Sequence, residues 1–360
     1  MANFINVMVV DDSAFMRKVI TDILEDADDI KVTGTAKNGL EALEKVKLLN
    51  PDVITLDVEM PSMDGLSCLK ELQKLTMSPV IMLSGLTTSG AKATIEALEA
   101  GAIDFITKPT NLFEISGEQK KKEIVEKVRM AKSIVRRSVP EKTVFRRSER
   151  TAAANKLKED IKRSGKLESI VAIGTSTGGP KALQEVVPYI PGDVPAALMV
   201  VQHMPPGFTK SLADRLNTLS GLLVKEAEDG DRVQAGYAYI APGDYHMLLS
   251  KSKDGGLSIK LTKDPSVGGH RPAVNVMMNS IAESGFSRVI GVIMTGMGSD
   301  GSEGVVNIKK MNNGVIISQD ENSCVVYGMP KAAVNTGAVD EVVPLKQIAD
   351  VIVKYLGVYR

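Results

Sequence analysis

Short apolar runs alternate with segments of helical period in two separate blocks of this chain. In the first block INVMVV, IKVTGTA, DVITLD, PVIMLS and AIDFITK are separated by AFMRKVITDILED, LEALEKVKLL, LSCLKELQKL and AKATIEALEA. Strands that alternate with helices imply a parallel sheet covered on both faces. The pattern resumes at Leu167, with SIVAIG, AALMVVQ, RVIGVIMTG and GVIISQ as strands. PKALQEVVPYI, GFTKSLADRLN, PAVNVMMNSIAES, SEGVVNIKKM and MPKAAVNTG read as the accompanying helices. Between Val224 and Thr262, GYAYIAP, YHMLLS and LSIKLT are divided by Gly and Asp turns, which predicts antiparallel strands. The expected fold class is therefore α/β in two domains. The first, over 1–125, carries a five-stranded parallel sheet; the second, over 166–360, is doubly wound with an antiparallel hairpin section.

From Gly117 to about Ser164 the character changes, with 126–165 as the linker region. EQKKKEIVEKVRMAKSIVRR is a charged amphipathic helix that closes the first domain. The SVPEKTVFRRSERTAAANKLKEDIKRSG that follows is polar and basic. It holds too few large apolar residues for a core and reads as a linker. Formal net charge is zero, so the molecule as a whole is no electrostatic trap for nucleic acid or membrane. Cys68 and Cys324 fall in different halves with no CxxC neighbour, against a zinc site or a disulfide framework. No apolar run has the length of a membrane span and the N-terminus lacks the marks of a signal peptide. These features predict a cytoplasmic protein. Tryptophan is absent, which leaves little to stack on single-stranded nucleic acid.

The first block places acids at strand ends. Asp11 and Asp12 end the first strand and Asp57 ends the third. In a doubly wound sheet those ends converge on the ligand crevice. Three carboxylates there repel one another unless a cation is bound, and oxygen-only ligands suit Mg²⁺. Ser84 ends the fourth strand and Lys108 follows the fifth, where a hydroxyl and an ammonium would stabilise phosphoryl oxygens. Asp residues also terminate strands for purely local reasons, but five such residues at four strand ends are hard to explain that way. VVDDS, LDVEMPSMDG, LSG and ITKP resemble the receiver domain of response regulators, a flavodoxin-like fold. The resemblance implies that Asp57 accepts phosphate from a histidine kinase. It also implies Mg²⁺ held by Asp12, Asp57 and the Glu59 backbone carbonyl, with Asp11 acting through the metal's waters. Ser84 and Lys108 would meet the phosphoryl group, and Phe105 stands where the family carries a rotameric switch residue.

The second block opens on IGTSTGGP. Gly174-Thr175-Ser176-Thr177-Gly178 satisfies G-x-S-x-G, in which a sharp strand-to-helix turn exposes a nucleophilic serine. A phosphate-cradling turn would look much the same. A serine nucleophile needs a base, and the base needs an orienting acid. Only His203, His246 and His270 are available as histidine bases. His203 follows the strand AALMVVQ and would share a sheet edge with Ser176. His246 lies in the antiparallel section and reads as structural, and His270 lies in a glycine-rich loop with its role open. Asp300 follows RVIGVIMTG near a helix start, as an acid or as an N-cap. The turn TGMG offers backbone N–H groups close by. A dehydrogenase is the competing enzyme class, since Tyr327-Gly-Met-Pro-Lys331 spells YxxxK. Pro330 resists the helix that would align that pair, and GTSTGGP lacks GxGxxG spacing.

IGTSTGGP, VVQHMPPGF, IAPGDYHM, HRPAVNVM and MTGMGSDG, in this order behind a receiver, resemble the chemotaxis protein-glutamate methylesterase family, CheB. The resemblance implies Ser176 as nucleophile, His203 as general base and Asp300 as orienting acid. The Met297 N–H would belong to the oxyanion hole, with Thr177 and His270 near the cleft. It further implies a γ-glutamyl methyl ester on a chemoreceptor as substrate, deamidation of glutamine as a second activity, and no cofactor for the esterase step. A monomer is expected, with chemoreceptors and a histidine kinase as partners, and with no nucleic acid and no membrane insertion. Two sites on one chain lead to the expectation that the unphosphorylated receiver blocks the cleft and that phosphorylation shifts the equilibrium. A regulator that only binds, on a dead hydrolase fold, is the remaining alternative.

Overall fold

The structure is a computed structural model that describes residues 4–109, 117–134, 166–252 and 255–358. The described residues fall into two compact units, one within Met1–Lys142 and one within Thr143–Arg360.

The first unit contains β1 (Ile5–Val10), α1 (Ala14–Glu25), β2 (Ile30–Ala36), α2 (Gly39–Leu49), β3 (Val53–Asp57), α3 (Gly65–Leu75), β4 (Val80–Ser84), α4 (Thr88–Glu99), β5 (Asp104–Thr107) and α5 (Glu118–Ser133). The strands form one sheet in the order β2-β1-β3-β4-β5, and every pairing is parallel. Ser13, Asn38, Asp64 and Thr87 cap α1 to α4, each side chain accepting an N–H of the first turn. These caps satisfy donors that would otherwise be orphaned and fix where each strand-to-helix turn ends. Ile124, Val128 and Ala131 of α5 lie at helical spacing and join the core made by Val7, Val9, Ile20, Leu24 and Ile81. The helix therefore continues past residue 125, where the sequence placed the end of the domain. The remainder of the expected linker, 135–165, lies outside the described residues.

The second unit is built on β6 (Ser169–Thr175), β7 (Ala196–Gln202), β8 (Leu223–Glu226), β9 (Tyr237–Ile240), β12 (Val289–Ile293), β13 (Val315–Gln319) and β14 (Glu341–Val343). They form a seven-stranded sheet in the order β14-β13-β12-β6-β7-β9-β8, parallel throughout. β10 (His246–Lys251) and β11 (Leu257–Thr262) make a separate antiparallel pair. Around the sheet lie α6 (Gly179–Val186), α7 (Phe208–Leu219), α8 (Val274–Glu283), α9 (Ser302–Asn312), α10 (Met329–Asn335) and α11 (Ile348–Leu356).

One expectation is corrected here. GYAYIAP is not antiparallel: β9 pairs parallel with both β7 and β8. The Gly/Asp turn at 229–231 does not reverse the chain into a hairpin. Gly230 N–H donates to Ile259 O and Val233 N–H to Leu257 O, so the crossover from β8 to β9 is tied down against β11. The sequence also did not single out β8 and β14, which are only 4 and 3 residues long.

Strand order reverses between β6 and β12, since β7 lies on one side of β6 and β13 on the far side of β12. That reversal opens the crevice at the carboxyl ends of the strands, where doubly wound sheets hold their ligands. Ile173 of β6 is fully buried at the centre of this sheet. Ile173→Ala is expected to cost about 2–5 kcal/mol, read as a lower urea midpoint for the second unit.

Candidate active site

Ser176 is the first residue beyond β6. From Ser169 to Pro180 it is the one position that is not buried. Its N–H donates to Thr295 O at 3.1 Å, and its carbonyl accepts from Gly179 N–H at 2.8 Å. Two N–H groups that an anion cradle would need are therefore used internally. Gly178 begins α6 at φ +76, left-handed backbone that favours glycine. The turn exposes the side chain of Ser176 rather than its amides.

β6 and β7 are paired with Thr175 opposite Gln202. The next residues, Ser176 and His203, therefore leave adjacent strands side by side, about 5 Å apart in backbone terms. The His203 Nε2 lies 2.8 Å from Asp300 Oδ2. A carboxylate only accepts, so Nε2 carries the proton. The Nδ1 is buried and has no hydrogen bond among the described residues. The imidazole of His270 stacks on that of His203, with ring centroids 3.8 Å apart and planes 9° apart.

Asp300 is not the N-cap of α9; Gly301 holds that position. Its carboxylate reaches across to the start of α8, accepting Val274 N–H at 2.6 Å on Oδ2 and Asn275 N–H at 2.9 Å on Oδ1. Asn275 returns the contact, its Oδ1 accepting Gly301 N–H at 3.0 Å and Gly304 N–H at 2.9 Å. Each helix start is capped by a side chain from the other's neighbourhood. Burial alone would raise the Asp300 carboxyl. The bond to His203, its charge and the N–H groups of Asn275 and Val274 outweigh burial and hold it below the usual range.

The TGMG loop abuts Ser176. A Cβ on Gly296 would lie 2.9 Å from Ser176 Cβ and 2.3 Å from Met329 Sδ, so only glycine fits this close approach. Met297, next in the chain, has a 42% exposed side chain, and its N–H makes no hydrogen bond among the described residues. Thr295 pins the site from below. Its Oγ1 donates to Thr177 O at 2.9 Å and accepts from Val325 and Val326 N–H at 3.1 and 3.0 Å. Thr177 itself is buried. His246 is a structural bridge, as its position suggested, with Nε2 on Pro265 O at 3.2 Å and Nδ1 accepting Ala273 N–H at 3.3 Å. Pro330 falls in the first turn of α10, so Tyr327 precedes the helix that carries Lys331. Three contributors were missed in the sequence: Gln202, Asn275 and Thr295. Each is an ordinary amide or hydroxyl with no spacing to betray it.

In the first unit the switch of strand order falls between β1 and β3, and the acids meet there. Asp11, Asp12 and Asp57 each offer a carboxylate oxygen, all within 4.8 Å of one another. The Lys108 Nζ lies 2.8 Å from Asp11 Oδ2 and 2.6 Å from Asp57 Oδ2. Burial pushes the Asp57 carboxyl up to about 6, against the pull of Lys108. Glu59 N–H donates to Asp57 Oδ1 at 3.2 Å. The Ser84 Oγ lies 2.8 Å from Thr94 Oγ1, and Phe105 is buried with its carbonyl accepting from Lys127 Nζ at 2.5 Å. Arg17 Nη1 donates to the carbonyls of Asp11 and Asp12 at 2.6 and 3.0 Å, which fixes the acid turn. An all-oxygen set with two buried members suits a small hard cation.

The family model described as CheB methylesterase matches residues 171–352, and that of the response regulator receiver domain matches 7–118. The chain belongs to the CheB methylesterase family. It is 47% identical over 360 residues to a protein-glutamate methylesterase/protein-glutamine glutaminase of Pyrococcus horikoshii, covering 100% of this chain and 96% of the relative. It is 46% identical over 350 residues to the protein of the same name from Thermotoga maritima, covering 97% and 98%. It is also 46% identical over 356 residues to that from Halalkalibacterium halodurans, covering 98% and 99%. This CheB-family chain thus matches its relatives through both units. Among the described residues, no helix is long and apolar enough to cross a membrane.

Because the folded Asp300 carboxyl sits below its ordinary value, its contribution to stability is present above about pH 4 and is lost as pH falls through the folded value. Asp300→Asn should therefore be destabilised relative to wild type at neutral pH. That gap should narrow in urea titrations below about pH 4.

Proposed function

We propose that this chain is a phosphorylation-activated hydrolase. It demethylates γ-glutamyl methyl esters and deamidates glutamines on methyl-accepting chemoreceptors. One observation carries the reading: from Ser169 to Pro180 the one residue that is not buried is a serine, and the adjacent strand delivers next to it a histidine already bonded to an aspartate with a buried side chain.

Ser176 Oγ attacks the ester carbonyl while His203 Nδ1 takes its proton. Asp300 accepts the Nε2–H and stabilises the imidazolium that forms. The Met297 N–H receives the tetrahedral oxyanion, with Thr177 and His270 lining the cleft. Collapse expels methanol, which leaves with the proton from His203. Water, deprotonated by the same base, then releases the carboxylate and frees Ser176. With glutamine the leaving group is ammonia, and the carbonyl geometry is the same. The residues described need no cofactor for these steps.

In the receiver, spanning 1 to about 133, Asp57 accepts a phosphoryl group from a histidine kinase. Asp12, Asp57 and the Glu59 carbonyl would hold Mg²⁺, with Asp11 acting through its waters, and the ion would supply charge neutralisation for the incoming oxygens. Lys108 and Ser84 contact those oxygens, and Phe105 responds to the change.

Methanol release from methylated receptor membranes tests the assignment. Ser176→Ala should lower the rate by about 10³-fold or more, and a near wild-type rate would remove the nucleophile. A small-molecule phosphodonor with Mg²⁺ should raise the rate of wild type but not of Asp57→Asn. Mg²⁺ alone should raise the melting temperature of wild type, and Asp12→Ala should abolish that shift.

A further inference from the structure

Gln202 ends β7 immediately before His203, and its side chain is 2% exposed. Its Nε2 donates to Ser176 O at 3.0 Å and to His203 O at 3.2 Å. Its Oε1 accepts from Thr175 Oγ1 at 2.5 Å. The orientation of the amide is forced, because both partners of the nitrogen are carbonyls that can only accept. One buried side chain thus joins the carbonyl of the nucleophile residue to the carbonyl of the base residue, across the gap between two strands. The turn is shaped around it: a Cβ on Gly179 would lie 1.9 Å from Gln202 Oε1 and 2.6 Å from Thr175 Oγ1. The last glycine of GTSTGGP, Gly179, is therefore the space that admits the amide.

We propose that Gln202, oriented by the Thr175 hydroxyl, is a positioning residue that sets the separation of Ser176 and His203. The inference rests on the Ser176–His203 reading above. The backbone ladder reaches one residue past each strand, with His203 N–H on Thr175 O and Ser176 N–H on Thr295 O, but neither bond joins Ser176 to His203; the Gln202 amide does. A proton transfer between them is steep in distance, so a fraction of an ångström matters to the rate. The amide supplies that constraint without touching substrate. Its loss should therefore appear in turnover and not in substrate affinity. A purely structural glutamine would instead reduce the amount of folded enzyme and leave each folded molecule at full rate.

The test uses the full chain and methylated receptor membranes, with rates normalised to folded protein measured by circular dichroism. Gln202→Met keeps the volume and removes all three bonds; it should lower kcat at least tenfold with KM changed less than twofold. Thr175→Val leaves Gln202 in place but frees its oxygen, and should lower kcat about threefold. Thr175→Ser restores the hydroxyl and should return kcat to wild type. Should Gln202→Met fold too poorly to measure, the Thr175 pair decides alone. A kcat per folded molecule within twofold of wild type in Gln202→Met, or equal kcat in Thr175→Val and Thr175→Ser, overturns the proposal. Ser176→Ala, run alongside, separates the two ideas: an active Ser176→Ala refutes the nucleophile whatever Gln202 does.

Discussion

The hydrolase unit depends on the placement of one carboxylate. Asp300 follows β12, yet its bonds go to the start of α8 and to the imidazole that follows β7. It thereby joins three elements that the sheet alone would leave independent at their carboxyl ends. An isolated buried carboxylate would be driven toward its neutral form. Here two helix N–H groups and an imidazole keep it ionised, and the same bonds assign the proton of His203 to Nε2. The helix start contributes twice, because its free N–H groups also favour negative charge through the aligned backbone dipoles. Asn275 closes the arrangement from the other direction by capping α9.

Both units place their chemistry by the same geometric device. Where strand order reverses, the loops at the carboxyl ends diverge and leave a crevice. In the first unit that point lies between β1 and β3 and collects the acids with Lys108. In the second it lies between β6 and β12 and collects Ser176 and Asp300, with His203 arriving from β7. The two crevices differ in what fills them. Clustered oxygens call for a cation, whereas a hydroxyl beside a bonded imidazole calls for an acyl group.

The sequence carries the alternation of strands and helices plainly, because buried parallel strands are continuous apolar runs bounded by turns. GTSTGGP, QHMPPG and MGSDG were legible as strand-end residues for the same reason. The direction of β9 was not legible. Its apolar run says only that it is buried, and the Gly/Asp turn before it serves a crossover pinned to β11. β8 and β14 are too short to show a period. Asp300 was visible as an acid near a helix start, but the helix that it caps is α8 and not the one that follows it. Gln202, Asn275 and Thr295 escaped because their partners are fixed by strand register and helix docking, which no local pattern encodes.

The protonation of His203 is the most direct check on this account. The chain contains three histidines, so imidazole nitrogen resonances of ¹⁵N-histidine-labelled protein can be assigned with His246→Gln and His270→Gln variants. In its neutral form His203 should carry its proton on Nε2 and none on Nδ1, and Asp300→Asn should disturb that tautomer. A proton resident on Nδ1 of His203, or a His203 signal indifferent to Asp300→Asn, would contradict it.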